Sequence, residues 1–464
     1  MPTPTLPSSY TRCLFGVAVR DVTPPVGIYA RSWGAAAHDA AEGVHRPMTA
    51  TAAVFRPLEG DGPTLALVAL DLGWFQNTQD EQKLRQAVLE RTGLTPDALL
   101  VNLSHTHAGP NVNSLLTDVP GADLIPAYLA HLANAVGDAV LAAREALAPA
   151  WITWGQGRCD LAANRDFWDE AEGRYACGFN PAAPADDTVV VGRVTGDDGT
   201  VRATLFNYAC HPTTLAWENR LISPDYVGAA REVLEAAFDA PALFLQGASG
   251  ELGPREGYVG DAAVADRNGR QLGYAAASAL AALPPAATQF VYTGIMPSGA
   301  DLGTWAREPI SDEQRQAAQR LAARLGAVEL DRKPLPSVEE LRAHLAASDN
   351  RREQEKLRRR LFIQQTLGPA PVHRMAVWTW RLGQAVVVAL PNEAYSVLQQ
   401  ELRQRFPGVP LLVLGVTNGA LGYLPPAGLY ERGLYQEQQS PFAPGGLEKT
   451  IEVLSAEVAA IMGH

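Results

Sequence analysis

LALVALD at Leu65–Asp71 and LLVNLSHTHAGP at Leu99–Pro110 are the two stretches of sequence that decide the fold. Each begins with a short apolar run bounded by polar residues, which predicts a buried strand. The residues between them, Gln79–Arg91, have the pattern of a helix. A strand, a helix and a second strand in this order are typical of a βαβ unit, so we expect an α/β fold.

The rest of the chain continues this alternation of strands and helices. An amphipathic helix is predicted at Pro126–Leu147, and Thr188–Val194 with Thr200–Asn207 forms a predicted hairpin. Further helices and strands are predicted at Val227–Phe238, Ala242–Gln246, Ala262–Leu283, Ala376–Leu382, Gln384–Leu390, Ala394–Phe406, Pro410–Val416 and Leu447–Met462. Because a hairpin is antiparallel and βαβ units are parallel, we expect a mixed sheet core flanked by helices, in a single domain spanning residues 1–464.

One segment, residues 306–372, interrupts the α/β pattern. Its central part, Ser311–Leu361, is long and charged and has a helical pattern broken at Lys333–Pro336. It also carries a basic run at Arg351–Arg360. We interpret the segment as a charged helical hairpin that is inserted into the core and exposed to solvent. An arm that binds polyanions is the alternative interpretation.

The composition is that of an ordinary globular protein. Hydrophobic residues make up 47% and charged residues 19% of the 464 residues, enough for a sizeable core. With 50 acidic and 38 basic residues the net charge is −12, which disfavours binding to nucleic acid or to an anionic membrane. The charge of the whole chain does not predict the sign of a local pocket. Four cysteines without a CxxC pair predict neither a zinc ribbon nor a disulfide scaffold.

The sequence shows no targeting signal. Met1–Leu14 lacks a basic segment followed by an apolar core, and apolar runs such as Leu65–Leu70 are too short to cross a bilayer. We therefore expect a cytoplasmic protein without stable membrane association, whose partner is a small molecule. The oligomeric state is not predicted.

His105-Thr106-His107, at the end of the second strand, is the strongest local signal for a site. On an extended backbone residues i and i+2 face the same side, so both imidazoles are expected to point into the crevice at the strand's carboxyl end. Imidazole is the commonest protein ligand of catalytic zinc, which makes these histidines candidate ligands. Two polar histidines in a loop are an equally good interpretation of so short a motif.

Three other polar residues also follow predicted strands. His211 follows the second strand of the hairpin, Glu393 follows Val386–Leu390, and Asp71 ends the first strand. Taken singly each fits a structural role, and a glutamate in this place is usually a helix-capping or first-turn residue. Their shared position is informative, because parallel or mixed sheets bring the carboxyl ends of strands together.

Several short motifs follow one another along nearly the whole chain: Gly16–Pro24 (GVAVRDVTP), Ser104–Pro110, Asn164-Arg165, Ser223–Asp225, Gln246–Arg255, Leu390–Glu393, Asn418–Tyr423 and Tyr430–Gln436. Together they resemble the motifs of the neutral (non-lysosomal) ceramidases and their bacterial relatives. Each motif is short, but jointly they are specific. The resemblance implies the catalytic domain of that family and an amide hydrolase as its activity.

The resemblance also implies residue roles. Four residues at matching positions would hold one zinc ion per chain: His105, His211, Glu393 and Tyr423. His107 would line the site beside the metal, while Arg165 and Tyr435 would hold the reacting carbonyl or its oxyanion. Zinc lowers the pKa of bound water toward about 7, so the implied chemistry is attack of hydroxide on an amide, ester or lactone. The same ligand types also bind iron, manganese or nickel. The sequence does not decide whether the protein holds an additional structural Ca²⁺ or Mg²⁺.

The sequence departs from the family in three places that bear on the substrate. Asn164–Phe167 reads Asn-Arg-Asp-Phe where the family has Asn-Arg-Ser-Pro, and the aromatic residues Phe167, Trp168 and Tyr175 there can reshape the substrate pocket. Gly253 stands where the family has a functional serine, which puts ceramide cleavage by this protein in question. The sequence also ends at His464 without the family's immunoglobulin-like C-terminal domain, so we expect a soluble substrate. Two alternatives stay open: a metal-dependent lyase or isomerase acting on a small polar substrate, and a catalytically idle, metal-stabilised binding protein.

Overall fold

The βαβ unit predicted from the two opening stretches lies near the start of the fold. In the computed structural model, which describes residues 4–463, strand Leu65–Leu70, helix Thr78–Thr92 and strand Leu99–Leu103 follow one another, and the strands pair in parallel. The helix begins after Asn77, whose side chain accepts a hydrogen bond from the amide of Gln79, and it ends at Gly93 with φ of +70°. This part of the prediction is confirmed.

Within residues 4–463 the chain forms ten α-helices and 23 β-strands. The helices are α1 (Thr78–Thr92), α2 (Ile125–Glu145), α3 (Tyr226–Phe238), α4 (Ala262–Ala281), α5 (Asp312–Ala318), α6 (Val338–Ala347), α7 (Arg351–Leu367), α8 (Val397–Arg405), α9 (Tyr435–Gln439) and α10 (Gly446–Met462). The strands are β1 (Thr5–Leu6), β2 (Ser9–Asp21), β3 (Gly43–Val44), β4 (Thr49–Arg56), β5 (Leu65–Leu70), β6 (Leu99–Leu103), β7 (Ala148–Arg158), β8 (Ala162–Asn164), β9 (Asp166–Asp169), β10 (Arg174–Cys177), β11 (Thr188–Gly196), β12 (Val201–Tyr208), β13 (Leu221–Ile222), β14 (Ala242–Gln246), β15 (Leu252–Pro254), β16 (Thr288–Ser298), β17 (Ala300–Pro309), β18 (Leu321–Asp331), β19 (Val372–Leu382), β20 (Ala385–Ala389), β21 (Glu393–Ala394), β22 (Leu411–Leu414) and β23 (Tyr423–Leu424).

The larger sheet is mixed, as the sequence predicts. Its eight strands lie in the order β14-β12-β11-β7-β2-β4-β5-β6, with β5–β6 and β12–β14 parallel and the other pairs antiparallel. The side chain of Asn102 on β6 accepts a hydrogen bond from the amide of Gln246 on β14 at 2.8 Å. The two edge strands therefore lie close together, and the carboxyl ends of β6, β12 and β14 meet on one side of the molecule.

A second sheet packs against the larger one and completes a four-layer architecture. It has the order β18-β19-β20-β22, and Trp378, Trp380 and Leu412 from it share a core with Phe55 and Leu67 of the larger sheet. Helices α1 to α4 cover the opposite face of the larger sheet, and α8 and α10 cover the smaller sheet. The α/β class expected from the sequence is confirmed.

The interpretation of residues 306–372 as a helical insertion is wrong for part of this segment. Leu321–Asp331 forms strand β18, which pairs antiparallel with β19 along its full length. Alanine, leucine, arginine and glutamate in this stretch favour a helix locally, but pairing with the edge of a sheet overrides that preference. Helices α6 and α7 do form the expected pair, yet α7 lines a cavity with residues of other elements and is not simply exposed to solvent.

Helix α2 is, among the described residues, the one helix long and apolar enough to span a membrane, together with the turn that precedes it. Its apolar side chains Leu132, Val136 and Val140 are buried in the core shared with β4 and β5. In this fold α2 therefore serves as a core helix of the layer that covers the larger sheet.

A candidate metal centre at the carboxyl ends of the strands

His105 and His107 follow β6, but the backbone that carries them is not extended as predicted. The φ angle of His105 is +66°, in the left-handed region, so this residue is not part of an extended strand. The alternation of side chains along a strand therefore does not explain why the two rings lie close together. The amide of His105 donates to the carbonyl of Leu72 at 2.9 Å, and its Nδ1 lies 3.0 Å from the carbonyl oxygen of Gly73. The two imidazole centroids nevertheless lie 5.0 Å apart.

His211 follows β12 and is completely buried. Its Nδ1 lies 2.7 Å from the carbonyl oxygen of Ser249, in the loop after β14, and its amide donates to Leu252 at 3.0 Å. An Nδ1–H bond to a backbone carbonyl sets the tautomer of a neutral ring, and the Nε2 lone pair then faces the site. His105 is held in the same way through Gly73.

Glu393 and Tyr423 come from two short strands that pair in parallel. They are direct partners in the register of β21 and β23, so both side chains reach the same side of the site. Oε2 of Glu393 lies 2.9 Å from Nε2 of His211 and 3.3 Å from Nε2 of His105. The hydroxyl oxygen of Tyr423 lies 3.5 Å from Nε2 of His211.

The four groups form a donor set that fits a divalent metal ion. Burial, and then the neighbouring Arg165, lower the pKa of His211 to about 4, so its ring is neutral at pH 7. The Nε2 lone pair of neutral His211 would repel the Glu393 carboxylate at 2.9 Å unless a cation lay between them. Nε2 of His105 has no hydrogen-bond partner among the described residues. Two imidazoles, a carboxylate and a phenol are ligand types that zinc accepts, and other transition metals accept them too.

His107 lies beside this set and differs from it in one respect. One imidazole nitrogen from each of His105, His107 and His211 lies within 4.8 Å of the other two. Both ring nitrogens of His107 lack a hydrogen-bond partner within residues 4–463, whereas ligating histidines usually anchor their second nitrogen. Burial, and then the two neighbouring histidines, hold the pKa of His107 well below its ordinary value. This geometry suits a neutral group that stays free to accept a proton.

Arg165 and Tyr435 both lie beside Tyr423 at the same centre. Nη2 of Arg165 donates to the carbonyl of Gly250 at 2.7 Å and to the hydroxyl of Tyr423 at 3.1 Å, while its Nε has no partner among the residues described. The hydroxyl of Tyr435 accepts a hydrogen bond from Arg359 at 2.9 Å, and its ring lies 5.8 Å from that of Tyr423. All seven residues predicted for the site thus lie in one place.

The site also contains residues that the sequence analysis does not include. The ring of Trp74 lies 5.7 Å from that of His105 and 4.9 Å from that of His107. The guanidinium of Arg359 lies 5.3 Å from the centre of the Trp74 ring. Trp74 follows strand β5, so the strand-end argument could have found it. Arg359 lies in the basic run of Ser311–Leu361, where no local signal distinguishes it from its neighbours.

Two other residues that the sequence analysis discusses, Asp71 and Gly253, are not part of the donor set. Asp71 lies outside the site and forms a buried ion pair with Arg231, with an O–N distance of 2.6 Å. Gly253 lies near the site: a Cβ there would be 3.5 Å from Oγ1 of Thr213 and 3.7 Å from Cδ of Arg165, both ordinary contacts. The space beside Arg165 could therefore hold the family's serine, and no clash explains its absence.

Residues 13–252, more than half of the chain, match the family model described as neutral/alkaline non-lysosomal ceramidase, N-terminal. The chain belongs to this neutral ceramidase family. The resemblance drawn from the motifs is thereby confirmed. A neutral ceramidase from Mycobacterium tuberculosis is 27% identical over 200 residues, which are 40% of this chain and only 30% of that relative's length.

Two solved ceramidase structures share the fold of this family member. The neutral ceramidase of Pseudomonas aeruginosa matches 98% of this chain and 75% of its own, with a TM-score of 0.68 and 17% identity. A ceramidase complexed with C2 matches the same shares of the two chains, with a TM-score of 0.67 and 16% identity. At this level of identity the likeness establishes a common architecture, and function has to be argued from the residues of the site.

Proposed function

We propose that this protein is a metal-dependent hydrolase that cleaves an amide, ester or lactone bond of a soluble substrate. One observation carries the proposal: the Nε2 atoms of His105 and His211 face the Glu393 carboxylate, while their Nδ1 atoms are occupied by backbone carbonyls. A hydrogen bond from the second ring nitrogen to a backbone carbonyl is typical of imidazoles that bind metals. Membership of a family of amide hydrolases supports the same conclusion.

The residues that would hold one zinc ion per chain are His105, His211, Glu393 and Tyr423. When bound, such an ion polarises a carbonyl and lowers the pKa of water. The short parallel pairing of β21 with β23 would keep the carboxylate of Glu393 and the phenol of Tyr423 in register. Since the nearby Gly73 and Ser249 carbonyls fix both imidazoles, little reorganisation would be needed on loading.

The remaining polar groups would act on the substrate directly. The free Nε–H of Arg165 and the hydroxyl proton of Tyr435 would donate to the carbonyl oxygen as negative charge develops on it. Arg359 already donates to the oxygen of Tyr435, which leaves the phenolic proton available. His107 would take a proton from the attacking water and return it to the departing amine or alcohol.

The first test is the metal content of the purified protein and of two histidine variants. We expect about one zinc per chain in the wild type and a loss of that zinc in His211→Ala. The matched control is His131→Ala, because His131 is exposed on α2 and distant from the site. Circular dichroism would establish that both variants remain folded.

Hydrolysis of amides, esters and lactones would then be assayed in the same three proteins, before and after chelation. We expect activity in the wild type and in His131→Ala, loss of activity on chelation and its return with zinc. A folded wild type that takes up no metal, or that hydrolyses its substrates equally well without metal, would contradict the proposal.

A further inference from the structure

A cavity of about 430 Å³ opens beside the candidate metal centre. Its inner end is lined by His107, Arg165, Tyr423 and Tyr435. When the bond to be cleaved lies at the candidate metal centre, one half of the substrate therefore lies in this cavity. The volume falls in the range of sites for small molecules. Two further parts of its lining differ in chemical character.

One wall of the cavity is aromatic. The ring of Trp33 lies 5.3 Å from that of His107, 5.7 Å from that of Tyr258 and 6.1 Å from that of Trp217. Trp217 is 38% exposed and marks the outer end of this wall. The wall thus offers flat apolar surfaces against which a ring or short chain of a substrate can pack.

Helix α7 supplies another part of the cavity lining, and this part is cationic. Arg352 and Lys356 lie four residues apart and therefore share a face of the helix. Glu355 is the one carboxylate that lines the cavity among residues 4–463, and its Oε1 is already 3.2 Å from Nε of Arg359. The side chains of Arg352 and Lys356 form no ion pair and no hydrogen bond with any residue that the structure describes.

A second, much smaller cavity lies on the other side of Tyr435 and Arg359. Its volume of about 60 Å³ is roughly that of two water molecules in the liquid. Trp74, Phe362 and Ile363 supply its apolar lining. This space suits a group of a few heavy atoms.

We infer that the substrate carries an anionic group, a carboxylate, which Arg352 and Lys356 bind in the larger cavity. The half of the substrate in the smaller cavity is short and apolar. The chain as a whole carries a net charge of −12. Two unpaired cations at the entrance of the site make the local charge positive, and a positive charge there attracts an anion. This inference rests on the hydrolase proposed above and names its class of substrate.

The direct test compares two amides that differ only by a carboxylate, N-acetyl-4-aminobenzoate and acetanilide. The acetyl group suits the smaller cavity and the ring suits the aromatic wall. We expect kcat/KM for the anionic amide to be at least about tenfold higher in the wild type. In the double variant Arg352→Gln, Lys356→Gln the preference should vanish through a rise in KM, because binding and not chemistry is lost.

Arg360→Gln is the matched control, since Arg360 lies on the same helix and lines neither cavity. It should keep the preference of the wild type. Equal kcat/KM for the two amides in the wild type, or a preference that survives in the double variant, overturns the inference.

A binding measurement separates this inference from the hydrolase proposal. Isothermal titration with benzoate and with benzamide needs no turnover, and His211→Ala provides a protein without the metal ligand set. We expect benzoate to bind more tightly than benzamide in the wild type and in His211→Ala, and the difference to disappear in the double variant. If this binding result is obtained but no amide, ester or lactone is hydrolysed, the anion site is supported and the hydrolase proposal is contradicted. Benzoate that binds no better than benzamide in His211→Ala overturns the anion site.

Discussion

At the scale of single residues, His105 combines a position in the candidate metal centre with a strained backbone. It is one of few non-glycine residues with positive φ, and for such a residue the left-handed conformation costs roughly 1–2 kcal/mol. The hydrogen bonds to Leu72 and Gly73 hold it there. Backbone strain of this kind is concentrated at functional sites, where the surrounding structure maintains it.

This strain can be measured by comparing two substitutions that both remove the imidazole. We expect metal-free His105→Gly to be more stable than His105→Ala by about 1 kcal/mol, because glycine adopts positive φ without steric cost. Urea unfolding of the two variants gives the difference. His211 has no positive φ, so His211→Gly should be less stable than His211→Ala. If the glycine variant is less stable than the alanine variant at both positions, the backbone of His105 is not strained.

The candidate site was predictable from the sequence only to the extent that its residues follow strands. His105, His107, His211 and Glu393 do so, and position alone made them candidates. Tyr423 became a candidate only through the resemblance to a family. It pairs with Glu393 in a β-ladder of only two residue pairs, between segments 30 residues apart, and no sequence pattern predicts so short a pairing. The turn at His105 depends on contacts with the loop after β5, and no local pattern encodes these contacts.

At the scale of elements, α7 shows why a charged helix is difficult to place from its sequence. The pattern predicts the helix, but its many arginines suggest a face in solvent, whereas Glu355 and Leu357 are buried. Arginine has a long apolar stem and several donors, so it can be buried when carbonyl and carboxylate partners are present. Arg359 finds such partners in Ser32, Tyr435 and Glu355.

Loss of Arg359 should loosen α7 over the site. In Arg359→Met we expect unfolding free energy to fall by about 3 kcal/mol, because Glu355 would remain buried without its partner. Hydrogen exchange in α7 should become faster. Adding Glu355→Gln should recover part of the loss, since it removes the unpaired charge, and Arg360→Met should change little. An Arg359→Met protein as stable as the wild type would show that this ion pair does not hold the helix.

At the scale of the whole molecule, the α/β class follows from local patterns but the two-sheet arrangement does not. Strand β2 pairs with β4 and with β7, which lies more than 120 residues further along the chain. Such long-range strand pairings depend on how the faces of sheets and helices pack against one another. The hydrophobic periodicity of a short stretch of sequence does not reveal this packing. Buried polar side chains then join the sheets: Asn207 on β12 donates to the carbonyl of Val413 on β22 at 3.0 Å.

Glu251 is a second polar link between the two halves of the fold, and it makes stability depend on pH. It accepts hydrogen bonds from the amide and hydroxyl of Ser396, at the start of α8. Burial raises the pKa of Glu251 from 4.5 to about 7. The folded protein therefore retains a proton that the unfolded chain releases, and the contribution of Glu251 to stability falls as pH rises from 4.5 to 7.

A shift of this size corresponds to about 3 kcal/mol. We therefore expect the unfolding free energy of the wild type, measured relative to Glu251→Gln, to fall by about that amount between pH 4.5 and 8. Glutamine keeps an oxygen that accepts from Ser396 but does not titrate. Glu256→Gln, which changes an exposed glutamate shortly after the same loop, should leave the pH profile of the wild type intact. A constant difference between the wild type and Glu251→Gln across this range would mean that Glu251 ionises alike in the folded and unfolded chains. In that case the junction between the sheets would tolerate a buried carboxylate at no cost.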